Sequence, residues 1–162
     1  MTTSLMHDLR LGARMGNPGR EKRTVFLLHY HPLVREWLAR LIDLQPDLSV
    51  CGEEEEAGEA VAEIAGLHPD IAIVDSMLLG ESAMSLITAL TCVAPSMKVL
   101  VFSVYEDELD AKHAMLAGAC GYVNSSTQII AAIRRVLEGK LFLFDSLQNE
   151  PRFASIHDHA EV

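Results

Sequence analysis

Three observations predict an α/β fold built on a doubly wound, five-stranded parallel sheet. Short apolar runs alternate five times with longer segments whose apolar residues recur at helical spacing. Parallel neighbours in a sheet need a crossover, and these longer segments supply the crossovers as helices that cover both faces. The 162 residues, 49% of them hydrophobic, are enough for one sizeable core.

The first unit opens at Thr24. Residues 24–28 form a short apolar run suited to a buried strand, and Leu33, Val34, Trp37, Leu38, Leu41 and Ile42 then mark one helical face. Leu48 and Val50 alternate before Gly52, and Ala60, Val61, Ile64 and Ala65 mark a second helix ending near Gly66. Between them Glu53-Glu54-Glu55-Glu56 reads as a solvated turn, with acids favouring the helix N-terminus. Residues 71–74 give the third strand, and Met84, Leu86, Ile87 and Leu90 the third helix. Residues 99–102 are strand four, 106–117 an acid-started helix capped by Gly118, and 121–123 strand five. Ile129, Ile130, Ile133, Val136 and Leu137 make the last helical face. The arrangement is flavodoxin-like, and in such sheets function gathers at the carboxyl ends of the strands, beside the point where strand order reverses. Those ends are His29-Tyr30, Asp75, Ser103 and Asn124-Ser125.

Composition narrows the function classes. A formal charge of −10 gives no overall footprint for nucleic acid, so no direct nucleic-acid partner is expected. The three cysteines, Cys51, Cys92 and Cys120, form neither a CxxC pair nor a disulfide framework, which fits reduced thiols in a cytoplasmic protein. No apolar run approaches the ~20 residues of a membrane span, and no membrane partner is expected. Residues 1–23 carry five Lys and Arg against two acids and read as a basic, flexible leader. Residues 24–140 form the predicted domain, and 141–162 a C-terminal extension. There is no glycine-rich phosphate loop after strand one, no nucleophile elbow and no second acid near Asp75 in sequence, so enzymatic activity is not expected.

Four stretches, in order, carry a resemblance: His31-Pro32-Leu33-Val34-Arg35, Pro69-Asp70-Ile71-Ala72-Ile73-Val74-Asp75, Lys98-Val99-Leu100-Val101-Phe102-Ser103 and Ala117-Gly118-Ala119-Cys120-Gly121-Tyr122-Val123. Together they resemble the receiver domain of bacterial response regulators, in particular receivers that precede a LuxR-type helix-turn-helix. The resemblance implies a phosphoacceptor at Asp75 and a phosphoryl-contacting hydroxyl at Ser103. In the family two acids after strand one hold Mg²⁺ with that acceptor, and a Lys after strand five contacts the phosphoryl oxygens. Here the acidic pair falls on His29 and Tyr30, and the Lys on Ser125. An imidazole and a phenol are poor anchors for a hard, oxygen-seeking cation, so no cofactor is expected and Mg²⁺ binding is absent or very weak. Losing several neutralising groups would slow acylphosphate formation by about 10⁴-fold or more. The loop after the acceptor also departs, with Leu78-Leu79 and Ala83 where the family usually has Met-Pro and Gly.

Without that chemistry, Asp75 is expected to be a carboxylate held by backbone amides or by the Ser103 hydroxyl. Tyr122 matches the family's switch aromatic and is expected to stay in one rotamer, with packing as its role. His29, His31 and Asp75 make a two-histidine, one-carboxylate set of the kind that binds transition metals, but the spacing is a weak signal and His is common at the His31 position in this class. The resulting expectation is an atypical receiver acting as a phosphorylation-independent protein interaction module in bacterial signal transduction. The alternative is a genuine but inefficient phosphoacceptor, modified at Asp75 by a histidine kinase or phosphotransferase that supplies the missing charge. The implied partners are proteins: a histidine kinase, another regulator or a second copy in a homodimer. The contact surfaces would lie on helix four, strand five and helix five, or on helices one and five, with Arg134 and Arg135 beside the apolar face. The segment after the last helix is too short for a DNA-binding domain, and its quartet Leu141-Phe142-Leu143-Phe144 is expected to cover a sheet edge or the base of the last helix, with a docking segment for a partner as the alternative.

Overall fold

The computed structural model describes residues 21–78, 83–105 and 107–143, and the side chains of Ala83 and Met84 are outside that description. The predicted leader up to residue 20, most of the loop after Asp75, and the chain from Phe144 onward lie outside the described residues. The order is β1 (Arg23–Leu28), α1 (Pro32–Asp43), β2 (Leu48–Glu54), α2 (Ala57–Leu67), β3 (Ile71–Asp75), a 3₁₀ turn (Ser76–Leu78), α3 (Ala83–Val93), β4 (Lys98–Phe102), α4 (Glu108–Leu116), β5 (Gly121–Val123) and α5 (Ile129–Leu137). The strands form one sheet in the order β2-β1-β3-β4-β5, and every pair is parallel.

Period-two alternation divides the core into two layers. Phe26, Leu28, Ala72, Val74, Val99, Val101 and Tyr122 face α2, α3 and α4, which contribute Ile64, Ile87, Leu90 and Ala114 among others. Val25, Leu27, Ile71, Ile73, Leu100, Phe102 and Val123 face α1 and α5, represented by Leu38, Ile42, Ile129, Ile133 and Val136. β1 lies between β2 and β3, so the strand order reverses at β1/β3 and the crevice there opens at His29 and Asp75.

Local departures from the sequence reading have physical causes. α1 buries a narrower stripe than its periodicity suggested: Leu38, Ala39 and Ile42 are inside, whereas Leu33 is 68% exposed and Trp37 42% exposed. Glu53 and Glu54 belong to β2, and only Glu55 and Glu56 lead into α2. The register of β1 on β2 slips by one residue between Val25 and Phe26, and the Phe26 ring then lies where a side chain at position 52 would begin. An added Cβ on Gly52 would sit 2.7 Å from that ring, so glycine is required at the bulge.

Arg134 is engaged within the molecule. Its Nε and Nη2 grip both carboxylate oxygens of Asp47 at 2.9 and 2.8 Å, and Nη2 also donates to Gln45 Oε1. Arg135 donates to the Leu141 carbonyl at 2.9 Å. Both arginines therefore brace their own fold. After α5 the chain turns at Gly139, with φ of +85°, and Phe142 forms a parallel bridge to Gly121 on the outer edge of β5. The apolar segment thus covers a sheet edge through Phe142, and Leu143 is buried in the core beside β5.

Candidate functional site

Three parallel strands end at one rim and present His29, Asp75 and Ser103, which are the buried polar side chains among the described residues. β1 delivers His29 one residue beyond its last core leucine, where the backbone N–H still pairs with the Glu54 carbonyl of β2 at 3.0 Å. β3 closes on Asp75, which is 5% exposed and paired in register with Phe102 of β4. Ser103 follows Phe102 and is held to β5 by its N–H to the Val123 carbonyl.

The Asp75 carboxylate is satisfied by main-chain donors. Oδ1 accepts from Met77 N–H at 3.0 Å, which closes the turn into Ser76–Leu78, and Oδ2 accepts from Tyr30 N–H at 3.3 Å. Tyr30 serves Asp75 through its backbone, while its phenol side chain is 66% exposed. His29 Nδ1 lies 3.5 Å from Asp75 Oδ2, yet the same nitrogen accepts from His31 N–H at 3.0 Å. The His31 N–H aimed at Nδ1 assigns that nitrogen as an acceptor, and together with the burial of the ring this assigns His29 as a neutral imidazole beside Asp75 and not as its ion-pair partner. Burial, the dominant cause, pushes the His29 pKa down. Asp75 pulls it up, and Arg35 and His31 add to the lowering. The ring is tilted against Phe102, with centroids 6.1 Å apart.

His31 is exposed and acts as the N-cap of α1, its Nδ1 accepting from Leu33 N–H at 3.3 Å. The two histidines are therefore successive hydrogen-bond acceptors that shape the turn into α1, and neither ring nitrogen used in this way is open to a metal. Arg35 closes the turn from the helix side: its Nη1 donates to the His29 carbonyl at 2.8 Å, and Glu53 and Glu55 lie within 3.9 Å of the guanidinium. The sequence reading did not assign Arg35 this role. Its only sequence signal is its place in the His31-Pro32-Leu33-Val34-Arg35 stretch.

The remaining positions divide. Ser103 Oγ accepts from Tyr105 N–H at 3.1 Å, and the Ser125 hydroxyl pairs with Thr127 at 2.8 Å. Tyr122 is fully buried, with its hydroxyl turned toward those of Ser103 and Ser76. Burial raises the Tyr122 pKa, and the nearby Ser103 hydroxyl opposes the rise. Ser76 was not expected to be at the site. Its position after the apolar run of β3 carries no pattern that marks it. Among the described residues no three His, Cys, Asp or Glu side chains converge as a metal-binding group, and no helix is long and apolar enough to cross a membrane.

Comparison with known proteins follows the same geometry. Residues 25–136 match the response regulator receiver domain. The nitrate/nitrite response regulator protein NarL of Escherichia coli is 27% identical over 130 residues, which cover 78% of this chain and 60% of the relative. The DNA-binding transcriptional activator DevR/DosR of Mycobacterium tuberculosis is 34% identical over 99 residues, 61% of this chain and 46% of the relative. The chain thus spans about half to three-fifths of these relatives' length. Among solved structures, a LuxR-family two-component response regulator from Aurantimonas sp. SI85-9A1 superposes with a TM-score of 0.70 at 27% identity, covering 86% of this chain and 97% of that one. A LuxR-family DNA-binding response regulator from Silicibacter pomeroyi gives 0.65 at 27% identity, covering 76% and 98%.

These relatives correct the expectation that nucleic acid plays no part, because two of them are named as DNA-binding. A net charge of −10 is a whole-chain sum, whereas DNA affinity rests on a local basic surface that such a sum does not register. The two-layered parallel fold, the aspartate at the end of β3 and the match over residues 25–136 together make this chain a member of the response regulator receiver family of two-component signalling.

Proposed function

We propose that the chain is an atypical receiver that signals through protein contacts without efficient phosphorylation of Asp75. The observation that carries this reading is the way Asp75 is satisfied: each carboxylate oxygen already accepts a backbone N–H, and its nearest ionisable neighbour is an imidazole that the geometry makes neutral. The residues described around Asp75 do not fit Mg²⁺, which takes oxygen ligands in an octahedron. Beside the single carboxylate stand a ring nitrogen with an occupied lone pair and an outward-facing phenol. Attack of a carboxylate on a phosphoryl group gathers negative charge, and catalysis of that step consists of positioning and neutralisation. The Ser125 hydroxyl, bonded to Thr127, brings no cation to offset it.

In this reading Tyr122 stays inward as part of the core, and the receiver surface is available in one state. The test is incubation of the chain with a small-molecule phosphodonor and Mg²⁺, followed by intact mass measurement. No phosphoryl adduct is expected under conditions that label ordinary receivers. An adduct that disappears in Asp75→Asn would favour an inefficient but genuine phosphoacceptor instead.

A further inference from the structure

We propose that residues 141–143 form a strap through which Tyr122 and the chain leaving α5 hold one another in place, so that neither shifts without the other. Tyr122 lies between the site and this segment. At one end its hydroxyl is turned toward Ser103 and Ser76; at the other its backbone N–H donates to the Phe142 carbonyl at 2.8 Å. Phe142 N–H returns a bond to the Cys120 carbonyl at 3.3 Å, so the segment takes the place of a sixth parallel strand on the open edge of β5. Leu143 anchors it: the side chain is 2% exposed and belongs to the same core cluster as Tyr122.

Gly121 shows how tightly the strap is fitted. A Cβ there would lie 2.9 Å from the Phe142 carbonyl oxygen and 3.2 Å from its Cβ, so the close approach depends on glycine. Arg135 fixes the near end through the Leu141 carbonyl. β5 has only three residues, and losing its outer hydrogen bonds would free the backbone that sets the direction of the Tyr122 ring. Coupling of this kind is reciprocal: whatever moves Tyr122 outward loosens the strap, and a pull on the chain beyond the strap frees Tyr122.

The inference rests on the reading that Tyr122 stays inward as part of the core, and it names what holds it there. Its test uses no phosphodonor, so the outcome of the Asp75 labelling experiment does not affect it. Leu143→Ala in the full chain should accelerate hydrogen exchange of the Tyr122 and Phe142 amides by about tenfold or more. It should also move the ¹⁹F resonance of fluorotyrosine at position 122, identified by its loss in Tyr122→Phe, toward the exposed tyrosines. Tyr122→Ala should in turn accelerate exchange at Phe142. Faster exchange at Phe142 with an unmoved ring resonance would overturn the proposal, as would unchanged exchange in either variant. Should Leu143→Ala fail to fold by circular dichroism, the unmodified chain in low urea decides the matter. One shared opening free energy and urea dependence for the Tyr122 and Phe142 amides supports the strap, and separate openings sink it.

Discussion

Two aspartates bracket β3, and the chain treats them differently. At the amino end, Asp70 accepts from both the backbone N–H and the hydroxyl of Thr24, at 2.7 and 3.1 Å, and faces the Arg23 guanidinium at 3.3 Å. At the carboxyl end, Asp75 has two amide donors and a neutral imidazole. The amino-end rim thus pairs acid with cation and does so again in Asp47–Arg134. The carboxyl-end rim holds its acid by oriented peptide dipoles. A side-chain cation strengthens an acid's local ties, whereas peptide dipoles hold it in place without cancelling its charge. Asp75 is thus well placed but poorly neutralised.

The largest expected effect comes from making the two rims alike. Introducing His29→Asp, Tyr30→Asp and Ser125→Lys together should raise phosphodonor labelling of Asp75 in Mg²⁺ by about 10²-fold or more, read by intact mass. A well-folded triple variant that remains unlabelled would show that the backbone around Asp75, and not charge alone, prevents the chemistry. Next come the two aspartates. Asp70→Ala should cost about 2 kcal/mol in urea unfolding, because it strands the Thr24 donors, while Asp75→Asn should cost no more than about 1 kcal/mol, since an amide oxygen still accepts an N–H. Equal costs would erase the contrast. Arg134→Ala should remove about 1 kcal/mol, at the upper end for a half-exposed pair because its grip on Asp47 is bidentate.

The smallest effect is in pH dependence. The folded pKa of His29 is depressed, so between that value and the ordinary one near 6.5 the unfolded chain binds more protons. The contribution from a neutral His29 is therefore complete above the unfolded value, is lost as pH falls through this window, and is flat below it. His29→Gln should remove that slope from the stability profile measured between pH 4 and 8, with the range set by the ordinary histidine pKa of about 6.5. A variant with the same slope as the parent would assign the dependence to another group.

Much of the fold was legible because apolar side chains repeat at the periods the backbone imposes. Val25 and Leu27 against Phe26 and Leu28 are enough to assign two faces to β1. At α1 the same logic overreached: Leu33 and Trp37 share a helical face with Leu41, but the helix meets the sheet along Leu38 and Ile42. At the rim, the ends of the apolar runs pointed to His29, Asp75 and Ser103, whereas the donors that hold Asp75 are backbone amides of Tyr30 and Met77, which leave no trace in side-chain pattern. The Arg134 contact was hidden for a related reason. Sequence shows a cation beside an apolar helix face and cannot show that Asp47, distant along the chain, is opposite it.

That separation has a kinetic meaning. Arg134 and Asp47 are 87 positions apart, and their contact closes only once α5 has docked beside the turn between α1 and β2. An interaction completed after the folding barrier contributes little to the barrier on the way in and its full strength to the barrier on the way out. Arg134→Ala is therefore expected to speed unfolding several-fold and leave the refolding rate nearly unchanged, read from the two limbs of a urea chevron; slowed refolding would show that the clamp is already closed at the barrier.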